Sequence, residues 1–191
     1  VTGGDDAIVN VWSLAKLVAT RLLGRVRKSD VTPLLSSSAH SLPITDIVVS
    51  NGVLGRVYSA SLDRTVKVWH LESDSIVLSV VLPSAIHCIA LSPSSTRLFA
   101  GLESGLVQVV ELRDSVAHVA EPVDDNDANA ISGGSRTFVG HSGAVTTLAL
   151  SLDGTMLVSG ARDAVVRVWD TSSGQTLRTH VAKGTSQIKA A

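Results

Sequence analysis

The sequence predicts an all-β fold assembled from repeating units of four short strands. Three observations carry that expectation. The composition favours strands: of 191 residues, 28 are Val and 26 are Ser, with 45% hydrophobic, 17% charged and 3% aromatic. Branched Val side chains suit a pleated surface, and Ser suits tight polar turns. Short apolar runs such as Ile44–Ser50 and Val145–Ser151 are bounded by Gly, Pro, Asn and Ser, the punctuation of strands and hairpins. Finally, the chain repeats itself. Arg56–Leu71 (RVYSASLDRTVKVWHL) aligns without a gap on Met156–Thr171 (MLVSGARDAVVRVWDT), one hundred positions later.

The elements follow in order from that repeat. Thr2–Leu14 (TGGDDAIVNVWSL) fits the template with Asp6 and Trp12 in register, and Arg97–Leu112 (RLFAGLESGLVQVVEL) fits it 41 residues after Arg56. In each copy a strand ends in small residues, a turn follows, and a β run closes at Trp12, Trp69, Val110 or Trp169. A strand precedes three of them: Ile44–Ser50, Ala85–Ser92 and Val145–Ser151. Another apolar run follows, as in Ser75–Leu82 and Thr176–Val181. Four antiparallel strands per ~40 residues is the pattern of a β-propeller blade. The chain reads as a partial β-propeller of about three and a half four-stranded blades out of about seven. The expected organisation is 1–18 as the end of a blade, 19–38 as an insertion, and 39–82 as a blade. A degenerate blade spans 83–139 with an insertion at 113–135, a further blade spans 140–182, and 183–191 starts the next blade or a tail.

The insertions are read from spacing. Successive closing positions lie 57, 41 and 59 residues apart, so two units exceed the basic length. Long loops in compact repeats often carry function. The first insertion brings Arg21, Arg25, Arg27 and Lys28 next to Leu22 and Leu23, a candidate contact for RNA or a protein partner. The second brings Asp124, Asp125 and Asp127 beside Gly133-Gly134, which reads as a solvated loop.

Several function classes are disfavoured. Net charge is −1 and the pI near 6.6, so no overall basic field draws the chain to nucleic acid. A single Cys supplies no disulfide framework or multi-Cys metal site. The 22 residues Ser75–Thr96 carry no formal charge, but Pro83 at their centre divides them into strand, turn, strand. No Gly-rich phosphate loop occurs. Gly140-His141-Ser142-Gly143 falls one residue short of an esterase nucleophile elbow, which also needs a helix after it where the repeat places a strand. No catalytic residue, metal or cofactor is expected.

Gly140-His141 ahead of the first strand, Asp163 in the turn and Trp169-Asp170 closing the third strand resemble a WD repeat. That resemblance implies a structural hydrogen-bond network in each well-formed blade. His40, Ser59, Asp63 and Trp69 would form one, and His141, Ser159, Asp163 and Trp169 the other. The copy with Ser104 and Val110 would rely on apolar packing. Arg64 and Arg162, beside the turn Asp residues at what read as matching places, are the candidate partner contacts on the blades. A narrower resemblance rests on the order of the blades. Ala39-His40-Ser41-Leu42-Pro43-Ile44-Thr45-Asp46 follows a Val11-Trp12-Ser13-Leu14 blade and an insertion, and precedes a degenerate blade, a second insertion and Phe138-Val139-Gly140-His141. This order resembles the WD-repeat subunits of the nuclear complex that joins maturing large ribosomal subunits and supports removal of the second internal transcribed spacer. The resemblance implies a non-enzymatic scaffold in the nucleolus and nucleoplasm, bound to a large helical-repeat protein and through it to the pre-ribosome. The alternative is a WD-repeat adaptor of another assembly, such as a ubiquitin ligase, a chromatin complex or a signalling complex.

Overall fold

A computed structural model of the chain describes residues 1–14, 18, 32–50, 55–71, 73, 75–112 and 136–181. The chain divides into two compact units, Val1–Ile89 and Ala90–Ala191. The first opens with β1 (Val9–Val11), paired antiparallel with β2 (Leu35–Ser37). It continues with β3 (Ile44–Val49), β4 (Arg56–Ser61), β5 (Thr65–His70) and β6 (Ser75–Val81), an antiparallel sheet in chain order. The division falls within β7 (Ile86–Leu91). That strand belongs with β8 (Arg97–Leu102), β9 (Val107–Glu111) and β10 (Thr137–Phe138) to a sheet ordered β10-β9-β8-β7. The second unit also holds the sheet β11 (Val145–Leu150), β12 (Met156–Ala161), β13 (Val165–Asp170) and β14 (Thr176–Val181), again in chain order. Three sheets of four antiparallel strands, each wound from adjacent hairpins, make this a partial β-propeller.

The repeat in sequence is a repeat in backbone geometry. In β3/β4 the register shifts between Ile44 and Asp46, and in β11/β12 it shifts between Val145 and Thr147. The shifts at Val68/Trp69 and Val168/Trp169 are equivalent in the same way. A bulge re-aims side chains, and here it precedes the closing Trp each time. The turn before the third strand of each copy places one residue in the left-handed region: Ala7 (φ 59°), Arg64 (69°), Gly105 (84°) and Ala164 (59°). For a non-glycine residue that conformation costs about 1–2 kcal/mol. At three of the turns the preceding carboxylate offsets it by accepting the N–H two residues on: Ile8 to Asp6 at 3.1 Å, Thr65 to Asp63 at 2.9 Å and Val165 to Asp163 at 3.0 Å. The fourth has Ser104 and uses Gly105, where a Cβ would also lie only 2.6 Å from the His141 carbonyl oxygen.

Each unit has its own core. In the first, Val9, Ile44, Val57 and Trp69 pack together with Ala39, Ile47 and Leu71 against them. In the second, Phe99 and Phe138 lie 6.1 Å apart, Phe138 and Trp169 5.6 Å apart, and Arg167 covers the Trp169 ring at 5.9 Å. β4 is buried on both faces from Val57 to Ser61, so its sequence shows little of the alternation of a half-exposed strand.

One boundary differs from the sequence expectation. Leu35–Ser37 lies inside the stretch 19–38 read as an insertion, yet it pairs with β1 as Val9↔Ser37, Asn10↔Ser36 and Val11↔Leu35. Two leucines followed by three serines show no alternation, and only the pairing with β1 defines the strand. The stretch Ser75–Thr96 forms β6, a turn and β7, followed by the start of the next turn. Among the described residues no helix is long and apolar enough to cross a membrane. Ala144 leads directly into β11, where a nucleophile elbow would need a helix. The basic residues Arg21, Arg25, Arg27 and Lys28, the insertion 113–135 and residues 183–191 lie outside the described residues.

Candidate functional site

The most developed polar constellation sits inside the sheet β11–β14. The Trp169 indole N–H donates to Ser159 Oγ at 2.7 Å, and Ser159 Oγ lies 2.7 Å from His141 Nε2. On the other side of the ring, His141 Nδ1 meets Asp163 Oδ2 at 3.0 Å. Asp163 also accepts the backbone N–H groups of Ser142 and Val165 at 2.9 and 3.0 Å. The directions fix themselves. The indole can only donate and a carboxylate can only accept, so Ser159 donates to Nε2 and the imidazole donates from Nδ1. Every buried donor and acceptor in the chain of four has a partner.

The sheet β3–β6 holds the same arrangement one hundred residues earlier. Trp69 donates to Ser59 at 2.9 Å, Ser59 Oγ lies 2.8 Å from His40 Nε2, and His40 Nδ1 is 3.0 Å from Asp63 Oδ2. Ser41 N–H donates to Asp63 at 3.0 Å. Here Thr65 replaces Val165, and its hydroxyl adds a 2.6 Å bond to Asp63 Oδ1. Burial pushes the Asp63 carboxyl up, but the donors from Thr65, Ser41 and His40 outweigh it and hold the group at about 2. Asp163 is also lowered, its backbone and imidazole donors outweighing burial. His40 lies below the ordinary histidine value because burial disfavours the imidazolium more than Asp63 favours it. The first sheet keeps part of the set: Trp12 donates to Thr2 Oγ1 at 2.9 Å. Thr2 was not among the residues singled out from the sequence. The signal was its offset of 57 from Ser59, the same offset that relates Trp12 to Trp69.

Ser, His and Asp in line have the connectivity of a hydrolytic triad, so the chemistry must be weighed. Ser59 and Ser159 are 0% exposed, and each hydroxyl oxygen already accepts an indole N–H. A nucleophile must be reachable and its lone pair free. These serines are neither, and the arrangement serves to lock a buried Trp against three strands. Among the described residues no group of three His, Cys, Asp or Glu side chains forms a metal site.

Arg64 and Arg162 are both exposed, but they do not occupy equivalent positions. The bond from Arg162 N–H to Ala144 O (2.9 Å) matches that from Leu62 N–H to Pro43 O (3.1 Å). The bond from Arg64 N–H to Ser61 O (3.3 Å) matches that from Ala164 N–H to Ala161 O (3.2 Å). One Arg precedes its Asp and the other follows it, so the expectation of matching places is corrected by one turn position on each side of the Asp.

The Leu-Pro-Ile-Thr-Asp segment has a role that sequence reading did not supply. Thr45 Oγ1 donates to Ile86 O at 2.8 Å, and Asp46 Oδ2 accepts the Ile89 N–H at 2.8 Å. Thr45 and Asp46 thereby tie β3 to β7, the first strands of consecutive sheets, through side chain and backbone. The register of β3 against β4 shifts between Ile44 and Asp46, at the same two residues.

Comparison with known proteins agrees with this geometry. Residues 31–70 and 132–170 match the family "WD domain, G-beta repeat". The chain is 38% identical over 183 residues to WD repeat-containing protein 18 of Danio rerio, covering 94% of this chain and 39% of that protein. It is 34% identical over 192 residues to the Homo sapiens protein of the same name, covering 96% and 40%. Against pre-rRNA-processing protein crb3/ipi3 of Schizosaccharomyces pombe the figures are 26% over 203 residues, 93% and 44%. The chain thus spans about two fifths of the length of the curated relatives it matches. Two segments of the chain thus match WD repeats, its four-stranded antiparallel sheets are those of a partial β-propeller, and its relatives include proteins named WD repeat-containing protein 18 and Ipi3/Crb3 pre-rRNA-processing proteins.

Proposed function

We propose that the chain is part of a non-enzymatic WD-repeat scaffold in the biogenesis of the large ribosomal subunit, supporting pre-rRNA processing through protein partners. The observation that carries this reading is similarity along more than nine tenths of the chain to relatives named for pre-rRNA processing. The buried polar networks agree with it, since they are spent on holding the blades. The net charge of −1 favours attachment to the pre-ribosome through other subunits, because direct binding to RNA draws most of its affinity from cationic contacts to phosphate. A large helical-repeat protein is the expected partner, with Arg64, Arg162 and the basic stretch Arg21, Arg25, Arg27 and Lys28 as the candidate contacts. The site of action is the nucleolus and nucleoplasm, where pre-rRNA is processed.

Affinity purification of the full-length protein tests this. Pre-large-subunit particles carrying unprocessed spacer RNA should co-purify, and depletion of the protein should make that spacer accumulate. Recovery of ubiquitin-ligase or chromatin subunits alone, with normal spacer processing, would replace the proposal with the general adaptor reading.

A further inference from the structure

We propose that Thr32 is a phosphorylation site for a proline-directed protein kinase, placed to cancel most of the charge of the basic stretch before it. The inference is independent of the assignment to ribosome assembly and holds for whichever complex the chain serves. Five prolines occur in the chain, and only two follow a hydroxyl residue, in Thr32-Pro33 and Ser92-Pro93. The structure separates the two.

Thr32 is exposed, and neither it nor Pro33 belongs to a strand or a turn. The next backbone bond runs from Leu34 N–H to Val11 O at 2.7 Å, and β2 begins at Leu35. Pairing of β2 with β1 therefore anchors the dipeptide without enclosing it. The residue before a proline is driven to extended backbone, a shape that an enzyme cleft can thread. A cleft that covers the backbone after the acceptor takes proline without loss, because proline has no N–H to leave unmatched.

Ser92 is closed off. It is 9% exposed, and its oxygen accepts the N–H groups of Thr96 and Arg97 at 3.1 and 3.0 Å. Its carbonyl accepts the Ser95 N–H at 2.8 Å, so Ser92-Pro93 is folded into the turn between β7 and β8. Phosphate on Ser92 would require that turn to open.

The chemistry is a single phosphoryl transfer. The Thr32 hydroxyl oxygen bonds to the γ-phosphorus of ATP as the bond to ADP breaks, and its proton passes to the carboxylate base of the kinase. Residues 19–38 hold Arg21, Arg25, Arg27 and Lys28 against Asp30 alone, a formal charge of +3. A phosphate contributes about −1.5 to −2 at neutral pH and would leave about +1. Attraction of the stretch to an anionic surface falls with it.

The test incubates the full-length protein with ATP and a cyclin-dependent kinase, the proline-directed probe, and maps phosphate by mass spectrometry. Protein isolated from dividing cells is mapped in the same way. Phosphate is expected on Thr32 in both. Thr32→Ser should keep the label, and Ser92→Ala should leave it unchanged. Pro33→Ala should slow labelling about tenfold, in keeping with one unmatched N–H in the cleft. If Pro33→Ala lowers the melting temperature, Thr32→Ala decides instead, and it should abolish the label. The phosphorylated protein should also elute from heparin, a polyanion, at lower salt than the unmodified one. An unmodified Thr32 in either source, phosphate on Ser92 of the folded protein, or a folded Pro33→Ala variant labelled at the original rate would overturn the site. Unchanged elution from heparin would overturn its action on the basic stretch.

Discussion

In the sheet β11–β14 the positions 141, 159, 163 and 169 are His, Ser, Asp and Trp, joined in one hydrogen-bonded chain. In the sheet β7–β10 the positions corresponding to 159, 163 and 169 are Ala100, Ser104 and Val110, with Ala100 0% and Val110 4% exposed. The same repeat thus carries a complete polar network in one sheet and aliphatic carbon at two of these three positions in the other. The difference teaches that the network behaves as a unit. Removing one partner strands the next, at about 1–3 kcal/mol for each buried group left unmatched, whereas replacing the partners together can be nearly neutral. A blade with one or two members changed would be the costly intermediate.

The sharpest way to break this comparison is to truncate the closing residue in both sheets. Trp169→Ala should cost about 3–5 kcal/mol, since it empties a large buried volume and leaves Ser159 without its donor. Val110→Ala should cost about 1–2 kcal/mol, the loss of two methyl groups plus a small cavity. Urea unfolding of the full-length protein reads both. Equal losses would mean that the polar sheet gains nothing from its Trp beyond what Val supplies.

A second substitution isolates the hydrogen bonds from the packing. Ser159→Ala removes one oxygen from a fully buried site and makes it resemble Ala100, but it leaves the Trp169 N–H and His141 Nε2 unmatched. The expected loss is about 2–4 kcal/mol, one desolvation penalty for each. The reverse change, Ala100→Ser, places a hydroxyl among aliphatic neighbours and should cost about 1–3 kcal/mol. Calorimetric melting of the two variants compares them directly; a stable Ser159→Ala variant would show that the network is ornamental to stability.

How much of this was legible in the sequence follows from which features repeat. Trp69 and Trp169, Asp63 and Asp163, and Ser59 and Ser159 recur at one spacing of a hundred, which marks the repeat, and the resemblance to a WD repeat is what named them, with His40 and His141, as two polar sets. Thr2 belongs to the first sheet's set by its own constant offset, but a Thr in place of Ser beside two glycines hid the equivalence. The strand Leu35–Ser37 was hidden for a different reason. A three-residue strand carries too few positions to show alternation, and its existence depends on the pairing with β1 across the insertion. The tie made by Thr45 and Asp46 to β7 depends on a strand some forty residues away, a contact that no local pattern encodes.

Lowering the pH is a gentler perturbation that should act on the polar sheets and spare the apolar one. In the β3–β6 network burial holds His40 below its usual 6.5, so the folded protein resists the proton that the unfolded chain accepts. Stability is complete above 6.5 and falls as the pH drops below it. Asp63, held at about 2, adds a second loss between its usual 3.8 and about 2, because there too the unfolded chain binds the proton first. Both effects point the same way, towards acid lability. The protection of β4 and β5 amides, relative to the intrinsic exchange rate at each pH, should therefore fall on mild acidification while that of β8 and β9 stays unchanged. An equal loss of protection in both sheets would show that the pH sensitivity lies elsewhere.

The smallest expected effect concerns the turns. Arg64 and Ala164 hold the same left-handed position, at φ 69° and 59°, and the degenerate sheet solves the problem with Gly105. Glycine relieves the side-chain strain but adds freedom to the unfolded chain, so Arg64→Gly and Ala164→Gly should each stabilise by about 0.5–1 kcal/mol, seen as a rise in melting temperature. The two substitutions then separate. An Ala at this position has little to offer a partner, but a long cation kept on a strained backbone does, and strain retained at an exposed position is a reason to look for a contact. If Arg64 is a partner contact, Arg64→Gly will raise the melting temperature and lower recovery of pre-ribosomal particles, while Ala164→Gly will raise the first and leave the second alone. If both variants recover particles equally, the guanidinium is solvated surface, and the contact must be sought at Arg162 or in the basic stretch from Arg21 to Lys28.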